Sequence, residues 1–215
     1  KKLIAQGIGN CFTVSKVFRD LEDIGPTHNL EFSMLEWYEM GKDYYHLATT
    51  TENLIIDIFK GIEQKDNKRI KKILNYQNTP IDLTPPWPRL SLNDLFKEYA
   101  HLDLSQHLTV DRLLPAAAAK GYNIKGIKTW EPLYTQIFVN EIEPHLPKNT
   151  PAFIFDYPTQ LSPLCQPCPK SPGFSQRFEL YIGGMEIGNG YTELTDAQTL
   201  HQNFQNEETF RKSHH

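Results

Sequence analysis

Two glutamates flank a glycine pair in the segment RFELYIGGMEIGNGY, which spans residues 177–191. A two-residue glycine turn between alternating runs predicts a β-hairpin, in which Tyr181 pairs with Glu186 and Glu179 with Gly188. This register places Glu179 and Glu186 diagonally on one face, with backbones roughly 7–8 Å apart. Two carboxylates directed at one point repel each other unless a cation lies there, and Mg²⁺ suits because it takes one or two protein carboxylates together with phosphates and water. A solvated face with two ordinary glutamates is the alternative, and spacing alone leaves both open.

Asn189 and Tyr191 continue the second strand of this hairpin. Strict alternation places them on the face opposite to the glutamates, whereas a bulge in the glycine-flanked stretch 188–190 turns them to the same face. The sequence leaves both arrangements open.

A second group of polar residues lies near the amino terminus, in VFRDLEDIGPTHNLEFSMLEWY, residues 17–38. Arg19 ends a strand-like run, and a turn with Gly25 and Pro26 follows. The return strand carries four side chains on one face: Phe32, Met34, Glu36 and Tyr38. The residues alone favour a core position for the three apolar side chains and an edge position for Glu36.

The intervening chain must position these groups. Apolar spacing predicts a helix from about Tyr44 to Ile62, followed by a charged surface stretch at 65–72. The proline-rich segment at 77–90 predicts a linker or an extended crossing, because proline excludes helix interiors and central strands. A capping box of Ser91 and Asp94 predicts a helix start.

Further helices and strands are expected after that start. Residues 105–126 read as weakly patterned helix, and 129–147 as an amphipathic helix with Thr129 as its cap and Pro144 as its stop. AFIFDYP at 152–158 predicts a buried strand, and 196–213 a polar helix. The fold class is therefore α+β, with an antiparallel sheet flanked by helices and a mostly helical insert at 79–150.

Composition narrows the class of protein. The chain has 215 residues, of which 39% are hydrophobic and 22% charged, which is typical of one globular domain. Its net charge of -4 lacks the basic excess expected of a protein that binds nucleic acids in general. No long apolar run or signal peptide is visible. Three cysteines suit a reducing cytosol, and the CQPC pair of Cys165 and Cys168 reads as a proline-bounded loop more readily than as a metal or redox site.

Two segments carry a family resemblance. FRDLEDIGPTHNLEF resembles motif 2 of class II aminoacyl-tRNA synthetases, and RFELYIGGMEIGNGYTELTDA resembles the segment leading to motif 3 of lysyl-tRNA synthetases. MLEWY, RLSLNDLFKEY, WEPLYTQIF and NGYTELTDA are more similar to the elongation factor P lysine ligases, which are shortened paralogues of those synthetases, whereas SPL at 162–164 is shared with the synthetases proper. The resemblance spans essentially the whole chain and implies the class II synthetase fold.

The resemblance implies roles around a nucleotide. Arg19 would be the catalytic arginine that binds the substrate carboxylate and the α-phosphate of ATP. Glu22 would contact the adenosine, His28 the triphosphate and Phe32 the adenine ring. The chain departs from the family pattern in a longer turn and in Thr27, which stands where a basic residue is usual.

The remaining implied residues surround a cation and a metal. Glu179 and Glu186 match the pair that binds Mg²⁺ and the phosphates of ATP. A further set matches the lysine-binding pocket: Glu36, Tyr38, Asn189, Tyr191 and Glu193. An acid among aromatic rings suits a long amphipathic cation, because the rings cover the methylenes and attract the ammonium group while carboxylates pair with it.

The implied reaction is ATP-dependent activation of lysine, or a lysine-like amino acid, followed by transfer of the acyl group. The segment matches and the absence of basic surplus favour a lysine of an elongation factor P-type protein as acceptor; tRNA is the alternative, and a catalytically silent binding module is a third hypothesis. We expect a cytoplasmic protein that does not engage membranes. Motif 1 and the motif 3 arginine lie outside 1–215, so we expect a piece of a longer, family-typical homodimer.

Overall fold

A computed structural model describes residues 1–19, 29–65 and 72–214. These residues form two compact units, Lys1–Lys42 and Asp43–His215. Neither boundary of the predicted 79–150 insert coincides with this division, and the insert remains a prediction. No helix among the described residues is long and apolar enough to cross a membrane.

The first unit is a two-stranded ribbon preceded by a short helix. Its elements are α1 (Lys2–Ala5), β1 (Cys11–Phe18) and β2 (Glu31–Tyr38). The strands are antiparallel, with Val17 opposite Phe32 and Cys11 opposite Tyr38, which confirms the predicted strands. The predicted turn at Leu21–His28 lies outside the described residues.

The second unit contains five helices, six strands and several short helical turns among its described residues. Its helices are α2 (Tyr44–Lys65), α3 (Leu92–Tyr99), α4 (Val110–Ala119), α5 (Trp130–Ile137) and α6 (Ala197–His214). Its strands are β3 (Ile73–Tyr76), β4 (Thr79–Asp82), β5 (Arg89–Ser91), β6 (Ala152–Pro158), β7 (Phe174–Ile182) and β8 (Met185–Tyr191).

Local signals account for most of these elements. The Ser91 side chain accepts the Asp94 backbone N–H at 3.3 Å and caps α3, as predicted. Helix α5 begins after Thr129, although this residue makes no capping bond, and a π-helical turn at Phe138–Ile142 follows it. The proline-rich segment, predicted as a linker or extended crossing, contributes β4 and β5; Pro80 is tolerated because β4 belongs to a two-stranded hairpin with β3.

The main sheet has the strand order β5-β6-β7-β8. The pairs β6–β7 and β7–β8 are antiparallel, as predicted, whereas β5 runs parallel to β6. Fold class α+β is confirmed.

Each face of this sheet carries its own apolar core. On one face, α2 and the β3–β4 hairpin cover Phe153, Phe155 and Phe178. On the other face, α3, α4 and α5 cover Ile154, Tyr157 and Tyr181. We call the second face the acidic face, because Glu179 projects from it.

Candidate functional site

A buried carboxylate forms the centre of the acidic face. Glu179 is 8% exposed. Its Oε2 accepts hydrogen bonds from the hydroxyls of Tyr157 at 2.7 Å and Tyr181 at 3.0 Å. Its Oε1 accepts from Nη2 of Arg177 at 2.7 Å. The side chain is therefore fixed in orientation, and its negative charge is paired with a guanidinium.

Arg177 is itself held on two sides. Its Nη1 donates to the carbonyl oxygen of Leu161 at 2.7 Å, and its guanidinium carbon lies 5.0 Å from the centroid of the Tyr157 ring. Its buried Nε has no hydrogen-bond partner among the described residues. Among the described residues, the hydrogen bonds of the guanidinium are therefore made by Nη1 and Nη2, and the Tyr157 ring adds a cation–π contact.

The Glu179 carboxylate also raises the pKa of the tyrosine hydroxyls around it. Burial, with Glu179 adding to it, raises the pKa of Tyr157 and of Tyr181 well above the ordinary value of a tyrosine. The pKa of Tyr134 is raised by the same two causes. These three hydroxyls stay protonated at neutral pH, and those of Tyr157 and Tyr181 act as hydrogen-bond donors to the carboxylate.

A cleft of about 440 Å³ opens between this cluster and α5. Both predicted magnesium-binding residues, Glu179 and Glu186, line it. Glu186 pairs with Tyr181 across the hairpin and is exposed. The predicted sharing of one face by the two acids is therefore confirmed. The cleft is also lined by Glu131 and Tyr134 of α5 and by Phe138, which directly follows α5.

The register of the hairpin differs from the prediction beyond its first two pairs. Ile182 pairs with Met185 and Tyr181 with Glu186, but the register then shifts, so that Leu180 pairs with Gly188 and Glu179 with Asn189. The predicted pairing of Glu179 with Gly188 is wrong, because Ile187 is an extra residue in β8.

This shift decides where the predicted lysine-binding residues of the hairpin lie. Paired residues share a face, so Asn189 lies beside Glu179, and Tyr191, which pairs with Arg177, lies on the same face. Glu193 follows two residues later, where its backbone forms a bridge with Cys165. Of the two arrangements that the sequence allowed, the structure contains the bulged one, although the extra residue is Ile187 and lies just before the predicted stretch 188–190.

The amino-terminal unit brings together two further predicted residues. Arg19 directly follows β1, and its guanidinium carbon lies 5.3 Å from the centroid of the Phe32 ring. Glu36 is exposed, and Tyr38 on the same strand face is half-buried. Glu22 and His28 lie outside the described residues. The roles assigned to all these side chains remain predictions.

The three residues that donate hydrogen bonds to Glu179 were absent from the predicted site: Arg177, Tyr157 and Tyr181. Arg177 and Tyr181 stand two residues on either side of Glu179, so the alternation of β7 was a sufficient signal for both. Tyr157 had no such signal, because it lies on another strand and follows a break in the alternation of β6.

The carboxylates of Glu179 and Glu186 are suitable ligands for Mg²⁺ that is bound to a polyphosphate. No group of three or more His, Cys, Asp or Glu side chains among residues 1–19, 29–65 and 72–214 is placed to hold a metal. Mg²⁺ needs only one or two carboxylates when phosphates and water complete its shell. Oε1 of Glu179 accepts one hydrogen bond within the described chain, and a carboxylate oxygen has room for a second interaction.

The three cysteines differ in burial, since Cys11 is half-buried and both Cys165 and Cys168 are buried. All three lie in described parts of the chain and none is in a disulfide. Burial raises the pKa of the Cys168 thiol from 9.0 to about 12, so it is protonated at neutral pH. It donates to Oδ1 of Asp156 at 3.3 Å. The loop interpretation of CQPC is consistent with these contacts.

Comparison with known families identifies the family of this chain. The family described as tRNA synthetases class II (D, K and N) matches residues 1–215, the whole chain. The chain belongs to this family. The class II assignment made from the two motif segments is thereby confirmed.

Relatives within the class II family are similar along nearly the whole chain. A lysine–tRNA ligase of Chloroflexus aurantiacus is 34% identical over 212 residues, covering 99% of this chain and 40% of its own length. Those of Nostoc punctiforme and Thermoanaerobacter pseudethanolicus are 36% and 38% identical, each covering 91% of this chain. The chain spans 34% and 38% of these two proteins. The closer similarity to elongation factor P lysine ligases finds no support in these relatives.

Proposed function

We propose that the protein activates lysine with ATP as an aminoacyl-adenylate and transfers the lysyl group to tRNA. The observation that carries this proposal is the acidic cleft, in which a fixed carboxylate and an exposed one share a face within a class II synthetase chain. The relatives described above are lysine–tRNA ligases, which supports lysine as the amino acid and tRNA as the acceptor.

The proposed first step is attack of the lysine carboxylate on the α-phosphorus of ATP. A carboxylate oxygen forms the new bond to phosphorus, and the bond from phosphorus to the β-phosphate bridging oxygen breaks, so pyrophosphate leaves with the electron pair. No general base is needed because the carboxylate is already ionised at neutral pH. Arg19 would neutralise the charge that develops on the α-phosphate, and alignment would supply the rest of the acceleration.

Glu179 and Glu186 are the residues that would hold Mg²⁺. The ion would neutralise the phosphates and orient them when bound. Arg177, Tyr157 and Tyr181 keep Glu179 in a single orientation before nucleotide enters, which lowers the ordering cost of binding. Glu186, exposed on the neighbouring strand, would supply the second carboxylate.

Each unit contains residues that match the lysine-binding set. Asn189 and Tyr191 share the acidic face with Glu179, and Glu193 continues from them. Glu36 and Tyr38 share one face of the ribbon. Carboxylates for the ammonium groups and aromatic rings for the methylenes match the chemistry of lysine.

A lysine side chain of an elongation factor P-type protein is the competing acceptor. The segments MLEWY and NGYTELTDA favour it, as does the net charge of -4. A silent binding module is the third candidate, supported by Thr27 and the longer motif 2 turn. These hypotheses differ in what they predict for activation and for transfer.

Lysine-dependent ATP–pyrophosphate exchange by the protein at its full natural length tests activation. We expect exchange in the presence of lysine and Mg²⁺. Absence of exchange would support the third hypothesis, a silent binding module. Lysine transfer is then measured with tRNA and with elongation factor P in parallel. Transfer to tRNA alone supports our proposal, whereas transfer to the protein factor alone overturns the choice of acceptor.

A further inference from the structure

The alternation of β6 breaks at Asp156. Phe153 and Phe155 face α2, and Ile154 faces the acidic side between them. Strict alternation would place Asp156 on the acidic face and Tyr157 beside Phe155. Instead, the register with β7 shifts between Phe155 and Tyr157, and Asp156 has a φ of 65°.

The consequence of this break is visible in the contacts on both faces. Asp156 and Phe155 both contact Tyr44 on the α2 side: Oδ1 of Asp156 accepts the Tyr44 hydroxyl at 2.7 Å, and the Phe155 ring centroid lies 5.3 Å from that of Tyr44. Tyr157 reaches the opposite face, where its hydroxyl donates to Glu179. The bulge therefore moves a tyrosine from the α2 core into the cleft.

Two side chains hold the Asp156 side chain. Besides the Tyr44 hydroxyl from the start of α2, the Cys168 thiol donates to the same Oδ1 at 3.3 Å. The loop that carries Cys168 is fixed by its backbone N–H, which donates to the Phe174 carbonyl at 2.8 Å. Both donors stay protonated at neutral pH, because burial raises the pKa of each. The left-handed conformation is disfavoured for residues with a side chain, and aspartate and asparagine tolerate it best.

We propose that Asp156 is a positioning residue which, held by Tyr44 and Cys168, turns Tyr157 into the cleft and so fixes Glu179. This assigns the second cysteine of CQPC a role as a hydrogen-bond donor. The consequence for nucleotide binding rests on the proposed function, whereas the direction of Tyr157 does not.

The first experiment is structural and independent of activity. A crystal structure of Asp156→Ala should show the Tyr157 hydroxyl beyond hydrogen-bond distance from Glu179, because alanine disfavours the left-handed conformation and offers no acceptor. Asp156→Asn keeps an oxygen acceptor and tolerates the conformation, so it should retain the contact. An unchanged Tyr157 in Asp156→Ala overturns the proposal. Should Asp156→Ala not fold, Tyr44→Phe, which lacks one hydroxyl, replaces it with the same criterion.

The second experiment uses ATP–pyrophosphate exchange in the wild type and in a double-mutant cycle. We expect Tyr157→Phe to raise the KM for Mg·ATP by about tenfold, which corresponds to roughly 1.4 kcal/mol. Asp156→Ala should do the same with a smaller effect on kcat, and Asp156→Asn should resemble the wild type. The double variant of Asp156→Ala and Tyr157→Phe should be no worse than the more impaired single variant, because both changes remove one interaction.

Tyr181→Phe provides the matched control. It removes the other hydroxyl from the same carboxylate oxygen but lies on β7, away from the bulge. The double variant of Tyr181→Phe and Asp156→Ala should therefore have a higher KM for Mg·ATP than either single variant, because two interactions are lost. The same further rise of KM in the double variant of Tyr157→Phe and Asp156→Ala would overturn the positioning role. Absence of exchange in the wild type would instead contradict the proposed function. The crystal structures would then still test whether Asp156 sets the direction of Tyr157.

Discussion

Replacing Arg177 with methionine removes the cation that accompanies Glu179, while keeping most of the volume of the side chain. The two side chains are 21% and 10% exposed, so the pair is largely screened from water. Breaking such a pair from one side costs on the order of 3 kcal/mol, because the remaining carboxylate is buried without its counter-charge. For a domain of this size, we expect Tm to fall by about 6–12 °C.

A second substitution separates the lost charge pair from lost packing. In the double variant Arg177→Met with Glu179→Gln, no charge remains buried, and the Tyr157 and Tyr181 hydroxyls can still donate to the amide oxygen. The double variant should therefore recover more than half of the stability lost by Arg177→Met. Urea unfolding followed by circular dichroism gives the free energies, and equal slopes against urea would show that the unfolded states are comparable.

An exposed ion pair serves as the control for this experiment. Arg211 and Glu207 form an i,i+4 pair on α6 with 70% and 54% exposure. Arg211→Met should change the free energy of unfolding by no more than about 0.5 kcal/mol. If the double variant is no more stable than Arg177→Met alone, an unpaired buried carboxylate is not the cause of the loss, and our account of the Glu179 cluster is refuted.

Four further predictions concern the cleft and its support. Glu186→Gln should reduce lysine-dependent pyrophosphate exchange by at least about tenfold while leaving Tm nearly unchanged; equal losses of both would assign Glu186 a structural role. Cys168 should resist iodoacetamide at pH 8 and react after unfolding, since burial raises its pKa to about 12. Because the unfolded thiol ionises near 9.0, that raised pKa also predicts stability that is complete below pH 9 and falls as the pH rises towards 12, measured by urea unfolding. Gly190→Ala should destabilise the protein by about 1–3 kcal/mol, because its Cβ would lie 2.6 Å from Phe178 and 2.8 Å from Leu47.

The substitutions at Glu186 and Gly190 each have a matched control variant. Glu207→Gln, exposed on α6, should leave exchange unchanged. Rapid alkylation of Cys168 in the folded protein would contradict the burial argument. Gly188→Ala provides the comparison for Gly190, since a Cβ at Gly188 would meet no atom within 4 Å. Similar losses in both glycine variants would point to a backbone cause rather than to contact with α2.

The positions of helices and strands followed largely from local signals in the sequence. Alternation predicted β1, β2 and β7, and the capping box at Ser91 marked the start of α3. The pairing around Gly183-Gly184 was readable because a two-residue turn fixes the register next to it. The parallel pairing of β5 with β6 had no local signal, since it joins residues about 64 positions apart through the geometry of the whole sheet.

The sequence by itself determined which side chains could carry the chemistry: Glu179 and Glu186 on one hairpin face, with the family-typical residues around them. The tertiary structure decided how that face is completed. Two register shifts, at Asp156 in β6 and at Ile187 in β8, brought Tyr157 and Asn189 to the side of Glu179. A shift of one residue reverses every later side chain on a strand, and whether it occurs depends on contacts from distant elements, here Tyr44 and Cys168 on Asp156. The alternation rule therefore holds up to each bulge, and beyond it only the packed structure specifies the face.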